Sequence, residues 1–579
     1  MSFPRRVSKS RRTFLKTLPT ALAAGAAAAA TPASAAQATL DLPDIITADG
    51  LGAAQHIIGL NLPVVERESA RPIVVRNRDH YETLRHVTVP PETEPAFSFR
   101  PPRPRSGRAP VTRVLPVVPT ATTAGARRRR PGAIDDLAFE SVTTIAPLLA
   151  ARQITSTELT KMYVERLKRH DPTLFCVVTL TEDLALDQAV EADHEIRAGR
   201  YRGPLHGIPY GVKDLFAAKG VLTTWGAQPY AEQVFDYDST VVARLREAGA
   251  VLTAKLATGE LAIGDLWFRA RTRNPWNPEG GASGSSAGPA SATAAGLVGF
   301  AVGTETGGSI VSPASTCGVV GMRPTYGRIS RHGCMTLRWT LDKVGPITRS
   351  IQDAALVLQA LHGLDGFDET VADVPLNLTQ RRDVKGLRIG YVASEIEGTG
   401  EGGDRQQSIA RRPVYEAAMD VYRKAGARLV PIALPNLPAT AIYAVLNAEA
   451  GAMFDELVRS GAINQLADKG PNGRANQLRA TRFIPAVEYI RAQRVRTMLV
   501  HQMNQLFESV DLFLAPPSSD SVTMTNLTGH PAVVLPAGFV DEMPVGLMLT
   551  GKLWDEPTLV RAAAAFEAAT TWHKRHPSL

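Results

Sequence analysis

Residues 281–325 read GASGSSAGPASATAAGLVGFAVGTETGGSIVSPASTCGVVGMRPT, and this stretch decides the fold. Two clusters of glycine and small hydroxyl residues flank a predicted helix over 286–295 and a predicted strand over 297–302. Glycine lets backbone approach a ligand closely and adopt positive φ. Thr306, Gly307, Gly308 and Ser309 are therefore able to present several amide N–H groups to one point beside a hydroxyl, as an oxyanion hole requires. A lone Gly-Gly-Ser would read as a turn, so the rest of the chain has to decide.

Upstream, residues 207–214 read GIPYGVKD. Lys213 ends an apolar strand, where partial desolvation lowers a lysine pKa toward that of a useful base. Around these two stretches, helix and strand patterns alternate. Thr155 to Glu158 is a capping box, with Leu159, Met162, Tyr163 and Leu167 on one helical face behind it. Strands are predicted over 176–180, 208–212, 250–256, 387–392 and 427–433, and helices over 182–198, 241–248 and 414–425. Such alternation predicts an α/β fold, a sheet with helices on both faces.

Taken in order, these segments resemble the amidase signature family, whose members cleave carboxamides with a Ser–cis-Ser–Lys triad. The family's GGSSGGS pattern is similar to Ser283 through Pro289, its GTDxGGSIRxPA pattern to Gly303 through Ile310, and its GxKPTxGRxS pattern to Gly321 through Ser330. Residues 529–538, GHPAVVLPAG, resemble the family's late strand. The resemblance runs from about Asp135 to the C-terminus. It implies a large mixed, twisted β-sheet flanked by helices as a single catalytic domain. It further implies Ser309 as nucleophile, Ser285 as the cis-serine relay after a cis peptide bond, and Lys213 as general base. Lys213 Nζ to Ser285 Oγ, and Ser285 Oγ to Ser309 Oγ, should then each approach hydrogen-bond reach. Thr306, Gly307 and Gly308 would line the oxyanion hole with the Ser309 amide. Four departures stand out: Ala287 and Pro289 in the first motif, Glu305 for the usual Asp, and Val311 for the family's Arg, which leaves any salt bridge of that Arg without its donor.

Rival chemistries fit less well. Gly284 to Gly288 matches the GxSxG nucleophile elbow, which would make Ser286 the nucleophile, but that elbow must follow a strand, and residues 274–280 read as a loop. The chain has no SxxK and no HExxH, so no metal site is expected and no cofactor is implied. His206, His530, Trp267 and Phe268 near the motifs read as packing residues. Cys176, Cys317 and Cys334 are too few and too scattered for a disulfide framework. Two alternatives share the fold: the glutaminase subunit of a tRNA-dependent amidotransferase, and a catalytically silent binding protein. The expected partner is a small-molecule amide.

The net charge of +8 over 579 residues does not mark a nucleic-acid surface. Residues 1–133 hold 20 Lys+Arg and 9 Asp+Glu, leaving 44 basic and 47 acidic residues for the body. Hydrophobic content of 44% with no long apolar run after the N-terminus predicts no membrane span. Residues 1–35 read as a twin-arginine export signal: Arg11-Arg12 in its motif, an apolar run, then Ala33-Ser34-Ala35. That predicts a periplasmic or extracellular enzyme. Residues 36–133 read as an N-terminal extension ending in a Pro/Arg-rich linker, with a short helix or strand over 81–89, and residues 134–579 as the amidase domain.

Overall fold

The computed structural model describes residues 46–90, 93, 95–97, 130, 132–378, 381–399 and 405–579. The leader therefore lies outside the described residues, as does most of the Pro/Arg-rich linker.

The capping box forms as read. Glu158 N donates to Thr155 Oγ1 at 3.0 Å and Thr155 N to Glu158 Oε2 at 2.8 Å. It opens the helix Ser156–Leu174, whose Leu159, Met162, Tyr163 and Leu167 are all buried. The strands are β1 (Val177–Leu180), β2 (Pro209–Lys213), β3 (Val251–Leu256), β4 (Arg273–Asn274), β5 (Asn277–Gly281), β6 (Phe300–Glu305), β7 (Val320–Arg323), β8 (Lys343–Thr348), β9 (Arg388–Val392), β10 (Arg428–Ile432), β11 (Leu512–Ala515), β12 (Ala532–Val540) and β13 (Met543–Gly551). Eleven of these build one sheet in the order β1-β3-β2-β6-β8-β7-β12-β13-β11-β9-β10, while β4 and β5 form a separate ribbon. The sheet is mixed. β2 runs parallel to both β3 and β6, whereas β6 and β8 are antiparallel.

Alternation along the strands feeds two cores, one on each face. Val533, Leu535, Leu547 and Leu549 join the core on one side, and Val534 and Met548 join the other. The mixed α/β sheet with helices on both faces is the fold that the motifs implied.

Three sequence expectations need correction. First, β6 begins three residues later than predicted. The helix Ala287–Ala294 closes with Leu297 N donating to Ala292 O at 2.9 Å and Gly296 at positive φ, so residues 295–298 serve the helix end. The shift puts Thr304 and Glu305 inside the strand. Second, residues 273–281 are the β4–β5 ribbon and not a loop. Third, the short element expected over 81–89 is the end of a 22-residue helix, Val64–Arg85, preceded by Ala48–Ile57. Pro72 inside the long helix gives the sequence a break signal that the helix overrides. Among the described residues no helix is long and apolar enough to cross a membrane.

Candidate active site

β2 and β6 are parallel neighbours, so their C-terminal ends open on the same edge of the sheet. That is where ligands meet open α/β sheets. Lys213 is the last residue of β2 and is fully buried. Its Nζ donates to Ser285 Oγ at 2.8 Å and to Thr304 Oγ1 on β6 at 2.9 Å. It forms no ion pair among the described residues. Burial lowers its pKa from the ordinary 10.5 to about 7, against weaker opposition from Cys334, Asp342 and Glu305. The adjacent carboxylate, Asp214, is committed elsewhere: it pairs with buried Lys255 at 2.8 Å and accepts from Thr224 N at 2.8 Å and Thr224 Oγ1 at 2.5 Å. Lys213 is thus left without a counter-ion, in a place where the neutral amine is favoured.

Ser285 follows a cis peptide bond from Gly284 and is buried. Its neighbour Ser286 is turned the other way. Ser286 Oγ donates to Thr304 O at 3.1 Å and accepts from Thr304 N at 3.3 Å, so its hydroxyl is occupied in bracing β6. Gly303 permits this approach, because a Cβ there would lie 2.6 Å from Ser286 Oγ. The two segments are joined again where Ser286 N donates to Ser309 O at 3.1 Å.

Residues 306–309 form the turn after β6. Their four amides have no acceptor among the described residues. Gly308 sits at φ +122°, where a side chain would be strained. Two buried carboxylates hold the turn. Asp342 accepts from Thr306 Oγ1 at 2.6 Å and from the amides of Leu337 and Arg338 at 2.6 and 3.0 Å. Glu305 accepts from Ile310 N and Val311 N at 2.8 and 2.9 Å, from Arg323 Nη1 at 2.6 Å and from Asn526 Nδ2 at 2.8 Å. Burial works to raise the Glu305 pKa, but Arg323, the Val311 amide and Lys343 together hold it below the usual carboxylate value. Amides beyond the turn are thereby used structurally, and those within it remain available.

A sequence model of the amidase family matches residues 158–521, a span that contains Lys213, Ser285 and the 306–309 turn. The chain belongs to the amidase family. It is similar to a glutamyl-tRNA(Gln) amidotransferase subunit of Roseiflexus sp. (strain RS-1), at 36% identity over 477 residues, 74% of this chain and 96% of that protein. Among solved structures it is similar to the native peptide amidase of Stenotrophomonas maltophilia, with a TM-score of 0.69, 32% identity, and 77% of this chain and 99% of that one covered. A bacterial aryl acylamidase of the amidase signature enzymes gives a TM-score of 0.67 at 25% identity, covering 75% of this chain and 98% of that one. This amidase-family chain is accordingly an enzyme acting on carbon–nitrogen bonds.

The structure brings Lys213 and Ser285 into contact and places Thr306, Gly307, Gly308 and Ser309 in one turn. The expected hydrogen bond between Ser285 Oγ and Ser309 Oγ is not formed. The half-exposed Ser309 has no side-chain hydrogen bond among the described residues. Catalytic hydrogen bonds are often open before substrate binds. Glu305 pairs with the buried Arg323 at 2.6 Å. Sequence reasoning missed Thr304, the residue before the last of β6. Asp342 left no local signal. Trp267 is a packing residue as read, its Nε1 donating to Phe175 O at 3.2 Å. His530 is buried against Phe507 with Nδ1 2.8 Å from Thr528 Oγ1.

Proposed function

We propose that this enzyme hydrolyses a carboxamide C–N bond of a small molecule through an acyl-enzyme on Ser309. The observation that carries the reading is the fully buried Lys213 with its Nζ 2.8 Å from Ser285 Oγ. As a neutral amine, Lys213 accepts the Ser285 proton while Ser285 accepts that of Ser309. Ser309 Oγ has no competing hydrogen bond among the described residues, so turning it toward Ser285 breaks none of those. The attacking oxygen adds to the amide carbonyl, and the free amides of residues 306–309 stabilise the oxyanion. The relay then returns a proton to the leaving amine, and water releases the acid. An amine leaves poorly, so proton return weighs as much as attack.

A second reading, the glutaminase subunit of an amidotransferase, is favoured by the names of the curated relatives. Arg11-Arg12 in an export-type leader favours an exported amidase instead, and we read the mature enzyme as periplasmic or extracellular. The test is a screen of purified protein against aryl anilides, aliphatic amides, peptide amides and glutamine, with Ser309→Ala as control. Turnover of the first three classes that Ser309→Ala abolishes supports the proposal. Ammonia release from glutamine alone would move the assignment to the second reading.

A further inference from the structure

The helices Ala48–Ile57 and Val64–Arg85 lie before the region that the family match covers, yet they pack against the side of the fold that carries the 306–309 turn. The segment between them buries Leu60 and Leu62 in the same cluster as Leu215, two residues after Lys213, and Leu337, beside Arg338. Farther along, Tyr81 and Leu84 pack with Ala441, Ile442 and Val445 of the helix Ala439–Val445.

That helix carries Tyr443, whose hydroxyl closes on the turn. A Cβ at Gly307 would lie only 2.3 Å from Tyr443 Oη. Arg338 stacks over the Tyr443 ring at 4.0 Å and donates to Tyr443 O at 2.8 Å, and the Arg338 amide binds the same Asp342 carboxylate that holds Thr306. The N-terminal helices therefore connect to the turn through one continuous set of packed groups.

Polar contacts fix the layer in place. Glu66 is held from two elements, by Arg479 of the helix Arg474–Thr481 at 3.0 Å and by Asn464 Nδ2 at 2.8 Å. Arg482 Nη2 donates to Ile58 O at 2.9 Å, and Arg491 Nε to Leu84 O at 3.0 Å. The Glu66–Arg479 pair is largely buried, which is the situation in which loss of one partner is costly.

We propose that residues 46–90 are a positioning layer that holds the Tyr443 wall against the oxyanion turn, and so determine which amides fit the site. The inference rests on the amidase reading above. The layer supplies no reacting group, so its disturbance should change substrate fit more than the chemical step.

The test is Glu66→Arg, with the charge swap Glu66→Arg/Arg479→Glu and with Leu62→Ala as an independent disturbance of the packing. For a bulky aryl anilide, Glu66→Arg should raise KM about ten-fold while kcat stays within about three-fold, because small displacements of a binding wall act on uniform binding. The charge swap should restore KM. Amide hydrogen exchange over residues 439–445 should speed up in Glu66→Arg and in Leu62→Ala, and this readout needs no substrate. If Glu66→Arg does not fold, Leu62→Ala carries the same two measurements. Unchanged KM together with unchanged exchange would overturn the inference, as would a fall in kcat at constant KM. An inactive wild type would instead count against the amidase reading, and the exchange result would still judge the layer.

Discussion

Replacing Lys213 by methionine should remove one defined pH dependence of stability. The side chain is fully buried and its pKa lies at about 7 against the ordinary 10.5. At about 1.4 kcal/mol per pKa unit, that depression corresponds to about 5 kcal/mol. Below about pH 7 both folded and unfolded chains hold the proton, and the cost of a buried charge is present in full. Between about 7 and 10.5 the unfolded chain holds the proton and the folded chain does not. Stability therefore rises with pH through that window, by about 1.4 kcal/mol per unit. Methionine titrates in neither state. Urea unfolding of wild type and Lys213→Met at pH 7, 8, 9 and 10 isolates the effect as the difference between the two proteins. The variant's advantage should be largest at pH 7 and shrink by about 1.4 kcal/mol for each unit of pH. Lost hydrogen bonds to Ser285 and Thr304 add only a constant offset. A difference that stays level from pH 7 to 10 would refute the depressed pKa, and with it the argument that Lys213 is a base at neutral pH.

The same titration should appear in catalysis: kcat/KM for a neutral amide rises about ten-fold per pH unit below about pH 7 and levels off above it, and a flat profile down to pH 5 would contradict a lysine base. Arg323→Met leaves Glu305 buried without its cation, so urea unfolding should show a loss of about 3–5 kcal/mol, with turnover falling as the 306–311 segment loosens. A loss under 1 kcal/mol would mean that Glu305 is not held by that pair. Changing Arg11 and Arg12 together to lysine should leave active precursor in the cytoplasm on fractionation, and normal export of the variant would count against a twin-arginine route.

The motifs were legible because their chemistry is local. A strand-end lysine, a glycine-rich turn and small hydroxyl residues at fixed intervals are all visible in one dimension, and so were the capping box at Thr155 and most strands of the N-terminal half. What escaped notice depends on contacts across long sequence separations. Asp342 reaches Thr306 because β8 runs antiparallel to β6, with Lys343 opposite Glu305. Arg323 reaches Glu305 through its position on β7, and no spacing rule marks that pair. The N-terminal helices were hidden for a different reason. The Val64–Arg85 helix is rich in charge and contains Pro72, so its own pattern is weak, and its burial comes from surfaces around residues 439–494 far along the chain. The late start of β6 was a boundary error of the usual kind, yet it concealed Thr304 as a partner of Lys213.

The central claim is an acyl-enzyme on Ser309. It is tested most directly by quenching the wild type in acid during turnover of an aryl anilide, digesting it and weighing the peptides by mass spectrometry. The expected result is one added acyl group on the peptide containing Ser309, fragmentation placing it on that serine, and no adduct in Ser309→Ala. An acyl group on Ser286, or the same adduct surviving in Ser309→Ala, would contradict the account.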